Sequence, residues 1–257
     1  LLIPPNSGNG YVDQTASDHN PRPKKIKKPL KTFTMKDLAD LQKVNVARLK
    51  KDFHQHWNKK LWNEEFIDLL DIGIDERGIW QFAHHNRDGD IIAIRSHKGG
   101  ILGDGRAKWY AKHVMYDYDF DKDSVTAEGE KDWLTGATKN PDINFFTGTC
   151  GAKSIPKNSD GGLDLSPYKY CTGTNYTGYD NDESGMKYGL ILGQEIKKEF
   201  ISHKVFQFQW SSECKNKFDI TDAYLESPDD GIEFKQAMLN AKEIKLPSIK
   251  IPSFDIL

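Results

Sequence analysis

From Val125 onward the chain repeats one unit: a short β-leaning run, a turn that carries acidic residues, then a segment of helical character. Residues 125–127 lead to a helix expected over 131–138. Residues 143–147 read as a second strand and end in the small-residue loop GTCGAKS. Residues 168–179 are a weaker strand, and DNDESG opens a helix from Met186 to about Phe200. Residues 204–210, KVFQFQW, alternate and read as a further strand. FDITDAYLES then leads to a last helix around 233–241. Strands alternating with helices predict a mostly parallel α/β sheet flanked by helices. In such a sheet the site lies at the carboxyl ends of the strands, where Glu128, Gly148 and Asp180 all fall.

The acidic residues at those ends carry the chemistry. Glu128 stands at a strand end before Gly129, placed to ligate a metal or act as a base. Asp132 follows one helical turn later, where it can back Glu128. The alternative role for both is helix capping through the dipole and unpaired N–H groups. Asp180 and Asp182 lie one residue apart, so in an extended segment both carboxylates point to one side and Asn181 to the other. The alternative is a polar turn with an N-cap. Asp219 and Asp222, in KFDITDAY, form a third acidic pair with the same two readings. Hard cations such as Mg²⁺ take oxygen ligands of this kind and often bridge to phosphates.

The half that precedes Val125 is different. Residues 22–60 hold thirteen Lys/Arg against three Asp/Glu, whereas residues 117–132 hold seven acidic residues and two lysines. A basic half beside an acidic centre suits a protein that binds a polyanion and gathers metals over it. Residues 1–33 read as a basic, flexible lead-in that ends in PRPKKIKKPLK. Thr34 caps a helix with apolar residues at Met35, Leu38, Leu41 and Leu49. A second helix is expected from Asn63, burying Phe66, Leu69 and Leu70. Ile79, Trp80, Phe82 and Ala83 then form a strand, NRDGD a hairpin turn, and residues 91–95 the return strand. The segment 242–257 repeats a Pro-Ser step and is expected to be an extended tail.

Composition excludes several classes. No apolar run is long enough to span a bilayer, and the mean hydropathy is −0.69. The first ten residues lack the pattern of a signal peptide. The three cysteines, Cys150, Cys171 and Cys214, contain no CxxC, which argues against a disulfide framework or a zinc ribbon. A reducing cytoplasm fits this usage. The histidines in HQH and at His84–His85 lack zinc-ligand partners at suitable spacing, so no zinc site is expected.

The order and spacing of EGEKD, YDNDESG and FDITDAY resemble the TOPRIM domain, over residues 125 to about 239. The region before it, with LLDIGID, FAHHNRDGDIIAIRSHKG and AKWYAK, is similar to the basic subdomain of primase catalytic cores. Such cores occur in bacterial DnaG-type primases and phage primase–helicases. The resemblance implies a Rossmann-like TOPRIM domain over 117–241, preceded by a basic α+β subdomain over 34–116. It departs from the pattern at YKYCTGTNYTGY, where a strongly apolar strand is usual, and it lacks the zinc module that commonly precedes such cores.

What the resemblance implies for function is primer synthesis on single-stranded DNA by a Mg²⁺- or Mn²⁺-dependent nucleotidyltransferase. Glu128, Asp180, Asp182 and Asp219 would hold the metal, the first three being catalytic, with Asp132 and Asp222 behind them. Arg95, Lys98, Lys108 and Lys131 would bind nucleotide or template. The partners implied are a single-stranded DNA template, ribonucleoside triphosphates and a replicative helicase in cis or in trans, in the cytoplasm of a bacterium or phage-infected host. Trp80 and Trp109 could stack bases, though core is the commoner role for such residues. The rivals are a TOPRIM nuclease, a topoisomerase, for which the chain is short, and a non-catalytic recruitment module.

Overall fold

A computed structural model describes residues 72–74, 79–86, 91–96, 101–103, 108–111, 115, 118–149, 151–153 and 155–246. The helices expected over 34–49 and from Asn63, the Asp-Gly turn and Lys98 lie outside the described residues.

The first sheet is antiparallel, in the order β1 (Gly73–Ile74), β2 (Trp80–His85), β3 (Ile91–Ser96) and β4 (Ile101–Gly103). Every residue of β2 is buried, so both of its faces are covered. Phe82 pairs with Arg95 and His84 with Ala93. Because side chains alternate along a strand, His84 and Arg95 emerge on one face.

The second sheet has the order β6-β5-β7-β8-β9. Its strands are β5 (Ser124–Ala127), β6 (Asn144–Thr147), β7 (Asn175–Gly178), β8 (Val205–Gln207) and β9 (Lys242–Glu243). The first four strands are mutually parallel and β9 runs antiparallel to β8. The chain moves outward from β5 to β6 through α1 (Glu130–Lys139), and the other way from β7 to β8 through α2 (Glu183–Glu199). The direction of winding therefore reverses between β5 and β7. Ligand crevices of open α/β sheets form at such a switch point. The expected α/β class with a mostly parallel, helix-flanked sheet is the class observed.

Alternation along the strands gives the sheet two apolar faces. Val125, Ala127 and Phe145 pack with Trp133 and Leu134 of α1, and with Ala223 and Phe234 from α3 (Ile220–Glu226) and α4 (Ile232–Leu239). Phe146 and Val205 pack on the opposite side with Leu192 and Ile196 of α2, with Tyr168 and with Ile244. Burying one such large apolar side chain contributes roughly 1.5–3 kcal/mol.

The elements differ from expectation in three places. Of the strand anticipated over 168–179, only Asn175–Gly178 is extended; Ser166–Tyr168 forms a 3-10 turn. FDITDAY, read as a lead-in, supplies the separate helix α3. The tail expected from 242 begins with β9, so the sheet extends past residue 241.

The two sheets are joined through residues 108–110. The Tyr110 N–H donates to Thr147 O (2.9 Å), and the Thr149 N–H donates to Lys108 O (2.8 Å). The Tyr110 ring packs edge-on against Phe82, His84 and Trp133. Trp80 and Trp109 are buried, and Trp109 Nε1 donates to Asp164 O at 2.7 Å. The base-stacking role suggested for these two tryptophans is therefore wrong: their faces are spent in the core.

Candidate metal centre

Each carboxylate at the carboxyl edge of the second sheet is placed by a local device. Ala127 is the register partner of Gly178, so Glu128 leaves β5 beside the exit of β7 that leads to Asp180. Asp132 sits in the first turn of α1, and its Oδ1 accepts from the N–H (3.1 Å) and hydroxyl (2.6 Å) of Thr221. Those bonds fasten α3 to α1. Asp219 caps α3 by accepting from the Asp222 N–H (2.7 Å). Asp182 caps α2 by accepting from the Gly185 N–H (2.7 Å). Such caps satisfy N–H groups that a helix start leaves unpaired.

Asn181 joins the two loops that carry Asp180 and Asp219. Its N–H donates to Phe218 O and its carbonyl accepts from the Lys217 N–H. Its side chain donates to Cys214 O (3.3 Å) and Lys215 O (3.2 Å). The side chain thus faces the loop before α3 and draws it against the end of β7; the Asp182 N–H donates to Asp180 O at 2.8 Å, so the chain turns here instead of running extended.

One carboxylate oxygen from each of Asp132, Asp180 and Asp219 lies within 4.8 Å of the others, so the three can hold a metal ion. Glu128 adjoins this group, and its Oε2 is buried with no hydrogen-bond partner. Burial raises the pKa of Glu128, reinforced by the charges of Asp182 and Asp219 and opposed by the backbone N–H groups of Ala152 and Asp180. Burial raises Asp180 strongly, helped by Asp132, Glu128 and Asp219, with Lys131 opposing. Asp219 is raised by burial and by Asp132, against the pull of Lys131. Buried like charges of this kind resist ionisation unless a cation compensates them. An orphaned buried oxygen and hard oxygen donors both fit a divalent ion such as Mg²⁺.

The sequence-predicted residues distribute unevenly. Glu128, Asp180 and Asp219 come together. Asp182 is near enough for its charge to act on Glu128, but one of its oxygens caps α2. Asp132, read as a supporting residue, puts its carboxylate into the three-residue group itself. Asp222 lies outward and pairs with Lys215 at 3.1 Å. Lys131 binds Asp219 at 2.6 Å. Arg95 bonds Glu130, and Lys108 lies close enough for its charge to lower the pKa of His84.

Glu130, His84, Asn181 and Thr221 also belong to the site and are not evident as such in the sequence. Glu130 is 5 % exposed, accepts from Arg95 and lies 3.5 Å from His84 Nε2. Its only sequence signal is its place between Glu128 and Asp132. Asn181 and Thr221 signal themselves by adjoining the acidic residues; their contacts need the fold.

Neither a protein-family model nor a curated protein matches the sequence. Solved structures do match. A DnaG primase catalytic domain bound to single-stranded DNA aligns over 82% of this chain and 79% of its own, at 12% identity and TM-score 0.55. The zinc-binding and RNA polymerase domains of the Aquifex aeolicus primase align over 81% of this chain and 60% of theirs, at 10% identity and TM-score 0.55. The Escherichia coli primase catalytic core aligns over 76% and 74%, at 12% identity and TM-score 0.52. The chain has the fold of primase catalytic cores.

Proposed function

We propose that the chain is a primase catalytic core, a nucleotidyltransferase that makes short RNA primers on single-stranded DNA. The observation that carries this reading is the convergence of Asp132, Asp180 and Asp219 beside Glu128, at the switch point of a sheet with the fold of primase cores. In this reading Glu128, Asp132, Asp180 and Asp219 hold Mg²⁺ or Mn²⁺, with Asp182 alongside. When bound, the metal offsets triphosphate charge and acidifies the attacking 3′-hydroxyl.

The chain's own residues bind and orient. Arg95 of the first sheet, paired with Glu130, and Lys108 of the segment that joins the sheets bring positive charge beside the start of α1, where a triphosphate or template phosphate is held. The basic stretch 22–60 supplies further phosphate contacts, so DNA affinity falls steeply with salt. In this reading the layout is a lead-in over 1–33, a basic subdomain over 34–116, a TOPRIM domain from 117 whose sheet runs on into β9 (Lys242–Glu243), and a tail after it. Among the described residues no helix is long and apolar enough to cross a membrane. Such a protein works in the cytoplasm of a bacterium or phage-infected host, beside a replicative helicase in cis or in trans.

The test is direct. The protein is incubated with single-stranded DNA, labelled ribonucleotides and Mg²⁺ or Mn²⁺. Short labelled oligomers are expected, and Asp180→Ala is expected to abolish them while sparing DNA binding. Loss of the DNA without product would make the protein a nuclease. Binding with neither activity would make it a recruitment module.

A further inference from the structure

The acidic centre is compensated on one side only. Lys131, in the first turn of α1, directs its Nζ to Asp219 Oδ2 at 2.6 Å and stands 3.9 Å from Asp132 Oδ1. The ammonium therefore sits where two of the three converging carboxylates meet. The same two groups are tied to protein donors, Asp132 to Thr221 and Asp219 to the Asp222 N–H. Across the centre Glu128 meets backbone N–H groups of Ala152 and Asp180 but no cation, and its Oε2 is buried without a hydrogen-bond partner.

The geometry points to Lys131 as a built-in counter-cation of the Asp132–Asp219 arm. This inference rests on the metal-centre reading above and goes beyond it. Glu128 and Asp180 take a divalent cation first, because the Lys131 ammonium contacts Asp219 and Asp132 and acts on Asp180 only at longer range. Asp219 becomes a ligand only when the ammonium leaves it. The chain thus sets an order of loading, with a strong position at the end of β5 and a weaker one against α3. Lys131 is in this account a positioning residue for charge rather than a nucleotide contact.

The experiment is a Mn²⁺ titration of the full chain without DNA or nucleotide, read by electron paramagnetic resonance and by calorimetry. The wild type is expected to bind one tight ion and a second weaker one. In Lys131→Met the second ion should tighten by about tenfold or more, the order expected when a unit charge beside a partly buried ion is removed. Lys131→Arg, which keeps the charge, should retain the wild-type asymmetry. Circular dichroism checks the fold, and Lys131→Gln serves if the methionine variant fails to fold. Unchanged second-ion affinity in the neutral variants overturns the proposal and leaves the primase reading standing. Two equally tight ions in the wild type also overturn it. No Mn²⁺ binding in any variant removes the metal centre, and the proposal with it.

Discussion

Arg95 Nη1 lies 2.6 Å from Glu130 Oε2 and 2.8 Å from Glu130 Oε1, joining β3 of the first sheet to the start of α1 in the second. Glu130 sits between Glu128 and Asp132, so the contact fixes the first sheet to the residues that flank the metal centre. Burial alone would raise the Glu130 pKa, but His84 and Arg95 hold it below the usual carboxylate range. Removing one partner of a buried pair leaves the other charge uncompensated, which costs about 3–5 kcal/mol. Arg95→Met is expected to lose that order of stability in urea unfolding. A loss below about 1 kcal/mol, the value of an exposed pair, would show that the contact is not maintained in solution.

The metal-free protein should weaken as pH rises. The folded-state pKa values of Asp180, Asp219 and Glu128 are raised above their ordinary values. The folded state therefore keeps protons that the unfolded chain gives up above about pH 4. Stability is greatest while these groups are protonated and falls as pH climbs through their raised range. Added Mn²⁺ requires the ionised carboxylates and should protect most at high pH. Melting temperatures measured with EDTA and with Mn²⁺ should diverge from just above the ordinary carboxylate values, about pH 4, through the raised values of about 7 for Asp219 and about 9 for Asp180. Parallel curves would contradict the assignment.

The sequence reveals the parallel sheet because α1 and α2 keep helical spacing and β5, β6 and β8 carry compact apolar or alternating runs. It reveals β7 poorly, for a physical reason. NYTG is polar, and its groups are satisfied largely by tertiary partners, beside the local bond from the Asn175 amide to Gly173 O (3.3 Å). Ser124 Oγ donates to Asn175 Oδ1 at 2.8 Å, and the Thr177 hydroxyl donates to Phe206 O at 3.5 Å. Buried polar groups with partners are tolerated in a core, but Ser124 and Phe206 lie on other strands. Glu128, Asp180 and Asp219 were legible as carboxylates at strand or loop ends. The N-cap made by Asp182 is the alternative role its sequence position already offered, whereas the share taken by Asp132 depends on how α1 and α3 dock. The Glu130–Arg95 contact spans two sheets and has no local signature.

Asn181 should govern metal affinity more than stability. Its side chain donates to Cys214 O and Lys215 O, which holds the loop before α3 at the end of β7. Asn181→Ala removes both bonds and keeps the backbone pair with Phe218 and Lys217. Each lost hydrogen bond costs about 1 kcal/mol. The larger effect is on Asp219, whose place relative to Asp180 follows that loop. Supporting groups around metal ligands commonly change affinity by about 10–100-fold, and a drop of that order in Mn²⁺ binding is expected. Unchanged affinity with lowered stability would confine Asn181 to a structural role.

Gly185 and Gly189 lie one turn apart on α2 and should respond oppositely to alanine. A methyl on Gly185 would stand 2.3 Å from Asp180 O and 3.0 Å from Asp180 N, both backbone atoms of the loop that carries a candidate ligand. Neither atom can turn aside, so α2 or Asp180 must shift. A methyl on Gly189 would meet only the side chains of Gln207 and Thr177, at 3.4 Å and beyond. There the gain in helix propensity of alanine over glycine, about 1 kcal/mol, should survive. Gly189→Ala is therefore expected to match or exceed wild-type stability and to bind Mn²⁺ unchanged. Gly185→Ala, which has the same propensity gain, is expected to lose Mn²⁺ affinity and primer synthesis together. Normal Mn²⁺ binding in Gly185→Ala would mean that the place of Asp180 does not depend on the start of α2.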